Sequence, residues 1–249
     1  MSATQGKTMV EKTIFVLAKS VKHYPNNCVA GIELIPNPSD SDYKVGSWIR
    51  PVSHHGRGEL SPEERRISEY REVRLLNIVR IPLRLQTRDV SQPENWLLDG
   101  KIWTDLSNEI SQPSLLDLLE RPVDLWMSIE SPEQTDRITK SEVLRRKPRQ
   151  SLYLIRPQSL TCRAWREYNS VTKKPQLQRR ADFDYGQHKY SLSITDPLYW
   201  DKHFDPVPQL GEPPRIITYP EHRIPILCVS LTPVYNGYHY KIVATIFEV

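Results

Sequence analysis

Apolar and polar residues alternate with a period of two along much of this chain, which predicts a protein built mainly from short strands. The first run is Thr13–Ala18, followed by a polar loop, Lys19–Asn27, and a second apolar run, Cys28–Ile35. After the turn-rich connector Pro36–Lys44, a third short strand is expected over Gly46–Ser53. Farther on, Val79, Ile81, Leu83 and Leu85 alternate with Arg80, Pro82, Arg84 and Gln86, a strand with one wet face. Pro82 places that strand at an edge or a bulge. Between these runs, Ser61-Pro62-Glu63-Glu64 carries the residues of a capping box with proline at the first helical position, and predicts a helix to about Glu72.

The middle of the chain breaks the pattern. Prolines recur at 93, 113, 122 and 132, and short helical candidates, Glu94–Leu98, Leu115–Glu120 and Glu133–Ile138, each follow Ser and Pro. A helical insert or bridge over Ser91–Ser141 is the expectation, closed by the basic run Arg145–Arg149. Strands then return over Leu152–Arg156, Thr161–Tyr168, Leu177–Tyr185, Lys189–Thr195, Ile226–Leu231 and His239–Phe247. Asn236-Gly237 is the strongest hairpin signal, and the last strand, apolar on both faces, is expected to be central. The fold class is therefore mainly β with a helical insert (α+β), divided into residues 1–90, 91–149 and 150–249.

Charge adds a second layer. The chain carries a net +4, yet Arg137–Arg180 holds thirteen Lys or Arg against two acids, so a belt of 44 residues is +11. Concentrated positive charge is what a polyanion-binding surface requires. The three cysteines, Cys28, Cys162 and Cys228, are odd in number and lie in apolar or strand-like settings, as buried thiols of a reducing compartment do. The amino terminus lacks the apolar core of a signal peptide and no stretch is long enough for a membrane helix. A cytoplasmic protein with no membrane partner is expected.

Aromatic side chains interleave with the bases of the belt. Arg156, Arg163, Trp165 and Arg166 precede a loop containing Lys173 and Lys174, and Arg179, Arg180 and Tyr185 follow it. Cations neutralise phosphates while flat rings stack on exposed bases, so this mixture suits single-stranded or deformed nucleic acid. On a regular strand Arg163 and Trp165 share one face and Arg166 and Tyr168 the other, so one of the two aromatics is expected in the core. Trp48 and Arg50, at i and i+2 before the loop bearing His54, His55 and Arg57, form a second candidate contact site. Lys19 and Lys22 are candidates for further phosphate contacts, although their turn lacks the glycines of a nucleotide-hydrolysing loop. The competing reading of the belt is a solvated basic face with structural aromatics, and that of Trp48 is a ring packed under the sheet beside a floppy polar loop.

Catalysis has one candidate region. Asp196, Asp201, His203 and Asp205 are types that ligate divalent metals, so a metal-dependent nuclease or a nucleotide- or modified-base-processing enzyme is the alternative to a binding protein. Their spacing matches no motif, and Asp196-Pro197 is equally a turn device. Asp42-Tyr43-Lys44 offers the end of a nuclease signature, but in a Pro/Ser loop rather than on an apolar strand. No CxxC, HExxH or GxSxG occurs, so structural zinc, zincin and α/β-hydrolase chemistry lack their minimal residues. No metal or cofactor is expected.

The segments FVLAKSVKHYPNNCVAGIEL, GSWIRPVS with GELS, YSLSITDP and CVSLTPVYNGYHYKIVATIF together resemble the dual OB-containing domain family of bacteria. The resemblance implies two small oligonucleotide/oligosaccharide-binding barrels in tandem, with residues 1–90 and 150–249 as the two OB-like β domains. It also implies association with conflict or phage-defence loci and a role as a nucleic-acid recognition or adaptor module without established catalytic residues. An effector protein partner would then engage residues 91–149.

Overall fold

The computed structural model describes residues 9–37, 43–55, 58–169 and 172–248, with Lys22 and His23 described by their backbone alone. The chain divides into two compact units, Met1–Ser114 and Leu115–Val249, so the proline-rich middle is shared between them.

In the first unit, β1 (Val10–His23), β2 (Asn26–Pro36), β3 (Tyr43–Val52), β4 (Ile78–Gln86), β5 (Asn95–Leu98) and β6 (Thr104–Asp105) form one sheet in the order β1-β2-β3-β5-β4-β6. An additional β1–β4 pairing, from Val10↔Leu83 to Phe15↔Ile78, closes the first five into a barrel. The β3–β5 pair is the one parallel contact in that ring, the others being antiparallel. Side chains of Ile14, Val16, Val29, Ile49, Val79, Ile81 and Leu83 fill its interior. Closure demands close approach at Gly31, where a Cβ would lie 2.2 Å from the Phe15 carbonyl oxygen, so only glycine fits.

Three expectations change here. The fifth strand, Asn95-Trp96-Leu97-Leu98, lies in the segment expected to be helical, because four residues after Pro93 are too few to show a period. The capping box forms, with the Ser61 N–H donating to Glu64 Oε2 at 2.9 Å, yet the helix stops as a single 3-10 turn, Glu63–Arg65. Arg65 ends it: its buried guanidinium donates to the carbonyls of Leu60 and Pro25 and pairs with Glu72 at 2.9 Å, folding the chain back. Of the two positions expected for Pro82, the edge is not found, since β4 is paired on both sides, while the register does shift nearby on the β5 side, between Leu83 and Gln86. Pro82 falls between the β6 pairing at Val79 and Arg80 and the β5 pairing at Leu83, where the ladder needs no N–H from it.

The second unit contains β7 (Arg137–Thr139), α1 (Lys140–Arg146), β8 (Leu152–Ile155), β9 (Ser159–Tyr168), β10 (Pro175–Tyr185), β11 (His188–Ile194), α2 (Pro197–His203), β12 (Arg215–Thr218), β13 (Ile226–Leu231) and β14 (Tyr238–Phe247). Its sheet runs β12-β9-β10-β11-β14-β13-β8, with β7 on β14. The inner five, β9-β10-β11-β14-β13, repeat the first-second-third-fifth-fourth order of the first unit, again with the third and fifth strands parallel. Among the described residues β9 and β13 do not pair: β12 occupies the free edge of β9 and β8 that of β13. As expected, β14 is central, and Asn236 and Gly237 both take positive φ in the turn before it. The only α-helices among the described residues are α1 and α2, seven residues each, so no helical insert fills 91–141. No described helix is long and apolar enough to cross a membrane.

Candidate nucleic-acid interface

Alternation sorts the basic belt into two faces. On β9, Leu160, Cys162 and Ala164 are buried, which turns Thr161, Arg163 and Trp165 outward. On β10, Ala181 and Phe183 are buried and Arg180 and Asp182 point out, while β11 buries Tyr190, Leu192 and Ile194 and presents Lys189, Ser191 and Ser193. The register sets Arg163 directly against Arg180, Trp165 against Gln178 and Arg180 against Ser193. Two guanidinium groups therefore face the same way across adjacent strands.

Each has one local partner. Arg163 pairs with Asp182, the diagonal carboxylate, and lies over the Trp165 ring at 5.3 Å from its centroid. Arg180 donates through Nη1 to the Ser191 carbonyl at 3.0 Å, a neutral partner, and among the described residues no carboxylate pairs with it. Trp165 Nε1 donates to Glu167 at 2.9 Å, which fixes the indole edge. Between β9 and β10, Asn169 closes the turn: its Oδ1 accepts from Thr172 N at 2.9 Å and its carbonyl from Lys173 N at 2.9 Å. Lys173 and Lys174 are left exposed at the tip.

The opposite face of the same strands is engaged internally. Arg179 lies 4.0 Å over the Trp200 ring on α2, and burial pushes its pKa below the usual value, with Asp201 opposing that shift. Arg166 donates to the Pro208 carbonyl at 3.1 Å. Neither Trp165 nor Tyr168 joins the core, contrary to expectation, because the end of β9 runs past the core and is paired with the exposed start of β10. Tyr168 is 62% exposed.

Several other candidates are committed to structure. Arg50 is 5% exposed and Trp48 4%. Arg50 forms a buried ion pair with Glu94 at 3.0 Å and donates to Asn95, which fastens β3 to its parallel neighbour β5. Both side chains are almost fully buried and offer a ligand little surface, so the expected contact pair at 48 and 50 is withdrawn. Lys19 donates to the Val73 carbonyl at 3.0 Å and sits 3.5 Å from Glu72, its pKa lowered by burial. Tyr185 donates to the Pro122 carbonyl at 3.1 Å, whereas Arg156 is exposed, with a bond to the Ile224 carbonyl at 3.2 Å, and lies off the outward face of β9–β11. The Lys22 side chain, Arg57 and Asp42 lie outside the described residues.

The acidic loop does not gather into a metal site. Asp196 is the N-cap of α2: Oδ1 accepts from Leu198 N at 3.0 Å and Tyr199 N at 3.2 Å, and Oδ2 from Ile246 N at 3.0 Å. Its burial raises its pKa against those bonds. His203 bonds Glu248 at 2.9 Å, and Asp201 and Asp205 are exposed. Among the described residues no group of His, Cys, Asp or Glu is placed to hold a metal ion.

The sequence model of a family described as a dual OB-containing domain matches residues 12–246. A structure described as a replication protein A heterotrimer bound to single-stranded DNA contains a chain identical in 9% of positions, with TM-score 0.37, over 98% of this chain and 50% of that one. The present chain thus spans about half the length of that relative. No curated protein sequence matches.

Proposed function

We propose, for a chain that belongs to the dual OB-containing domain family, that its second unit, an OB-like sheet, binds single-stranded or locally unpaired nucleic acid on the outward face of β9–β11. The observation that carries this reading is the Arg163–Arg180 opposition beside Trp165. Like charges directly across a ladder are unfavourable without a ligand, and a phosphate bridging them removes the repulsion. OB-folds bind oligonucleotides on the face of their second and third strands and at the loop joining the first two, which here are β10, β11 and the Lys173–Lys174 turn. Trp165 supplies a ring for an unstacked base, which a duplex does not offer.

The contact set narrows to Arg163, Trp165, Lys173, Lys174 and Arg180. Salt-titrated fluorescence anisotropy with labelled single-stranded and duplex oligonucleotides tests it. Preferential single-strand binding that weakens with salt is expected, and equal affinity of wild type and a Lys173→Glu/Lys174→Glu/Arg180→Glu variant overturns it.

A further inference from the structure

The basic run Arg145–Arg149, which in the sequence only closes the proline-rich middle, lies in the second unit beside a cavity of about 380 Å³. Trp126, Tyr153, Asp124, Arg146, Lys147 and Arg149 line it, above an apolar floor that includes Ile138 and Leu231. The two rings stack with centroids 4.8 Å apart and planes 30° from parallel. Trp126 is fixed by a bond from Nε1 to the Gln150 carbonyl at 3.1 Å, so the aromatic wall is set before any ligand arrives.

The cations divide by their duties. Arg146 is occupied, donating to the Met127 carbonyl and standing 4.0 Å from Asp124. Lys147 ends α1 in the left-handed conformation, φ 47°, which swings the chain toward Arg149. Both Lys147 and Arg149 are exposed, and among the described residues neither side chain has an ion pair or hydrogen bond. Asp124 Oδ1 accepts the Met127 N–H at 2.9 Å, which leaves Oδ2 at the wall.

A stacked aromatic wall selects a flat ring, unpaired cations at the rim select a phosphate, and the volume lies within the range of small-ligand sites. We propose that this cavity binds a nucleoside monophosphate, its base against Tyr153 and its phosphate on Lys147 and Arg149. The nucleotide is either free or the 5′-phosphorylated end of a strand. The proposal does not rest on the outward face of β9–β11, which has its own residues and its own variants.

Calorimetric titration of the full chain with AMP, and separately with adenosine and with inorganic phosphate, is the test. AMP is expected to saturate, each half-ligand to bind about tenfold or more weaker, and Lys147→Glu/Arg149→Glu to lose about tenfold or more in AMP affinity. Both positions are exposed, so the double variant should fold. Arg163→Gln/Arg180→Gln should leave AMP binding unchanged. Failure of AMP, GMP, CMP and UMP alike to saturate, or wild-type AMP affinity in the Lys147/Arg149 variant, overturns the assignment. Matched oligonucleotides with 5′-phosphate and 5′-hydroxyl ends separate the sources. A phosphate-dependent gain that disappears in the double variant identifies a strand end, and AMP binding without such a gain identifies the free nucleotide.

Discussion

Arg163 stands directly across the β9–β10 ladder from Arg180, and among the described residues Asp182 is the one carboxylate paired with either. Arg163 has that charge partner; Arg180 has a backbone carbonyl. Asp182 itself sits opposite Thr161 and Ser191, so the outward face carries more cation than acid at its centre. An arrangement that costs stability in the free protein and gains it with a phosphate is the electrostatic form of a binding surface.

Arg180→Gln should therefore separate stability from binding. Removing one member of a like-charge pair on an exposed face should leave unfolding free energy within about 0.5 kcal/mol of wild type, or raise it slightly. Single-strand affinity should fall, and the slope of log affinity against log salt should shrink by about 0.7 for the lost phosphate contact. Denaturant unfolding and anisotropy on the same sample measure both. An unchanged salt slope would show that Arg180 touches no phosphate.

Gly31→Ala should open the first barrel. The added methyl meets the Phe15 carbonyl oxygen at 2.2 Å, a backbone atom that cannot rotate away, so β2 must shift from β1. A cost of about 3 kcal/mol or more is expected. Hydrogen exchange should quicken along the β1–β2 ladder, from Ile14↔Glu33 to Ser20↔Cys28, while β9–β11 keep their protection. Wild-type exchange in β1 would show that the barrel absorbs the methyl elsewhere.

What the sequence revealed depended on whether a residue's partner was local. The alternation on β9 and β11 is readable because one face is wet, and Asn236-Gly237 announces its turn in two letters. By contrast, β5 is four residues long, and its place depends on Arg50 meeting Glu94 and Asn95 from a distant strand. The same long-range pair made Arg50 and Trp48 look like a contact site, because spacing reports a shared face and says nothing of burial. The expected helix after Ser61 failed for the same reason: its cap is local and was correct, while Arg65 answers to Pro25 and Glu72. Arg145–Arg149 shows in the sequence only as a basic run, because the Trp126–Tyr153 wall beside it comes from two other segments.

Lys241 should make the second unit more stable in mild alkali. Its side chain is 1% exposed, donates to the Thr135 carbonyl at 2.9 Å, and has its pKa pushed down to about 8 by burial, with Asp124, Asp136 and Glu142 opposing and Arg146 assisting. The unfolded chain therefore holds more protons between about pH 8 and the usual lysine value near 10.4, so stability rises across that window. The contribution is about 3 kcal/mol. Lys241→Met should abolish that part of the pH dependence, and denaturant unfolding of both proteins from about pH 7 to pH 10 gives the difference. Parallel curves would show that the ammonium is not disfavoured by its site.

Glu142 should act in the opposite direction, at the acid end. It is fully buried, and burial alone would raise its pKa, but bonds from Ser128 Oγ at 2.6 Å, Ile129 N at 2.7 Å and Glu130 N at 3.3 Å, together with Thr139, outweigh burial and lower it. The same residue completes the α1 cap, its N–H donating to Thr139 Oγ1 at 3.2 Å, so one carboxylate ties the 128–130 loop to the helix start. A carboxyl held below its unfolded value contributes stability that is full above that value and is lost as pH falls through the folded one. Glu142→Gln keeps the shape and removes the charge, so it should cost about 1–3 kcal/mol at neutral pH and much less once wild-type Glu142 is itself protonated. Urea unfolding of the pair from about pH 7 down to pH 3 should show the two stabilities converging. A gap that stays constant across that range would mean the loop is held by shape alone, with no contribution from the charge.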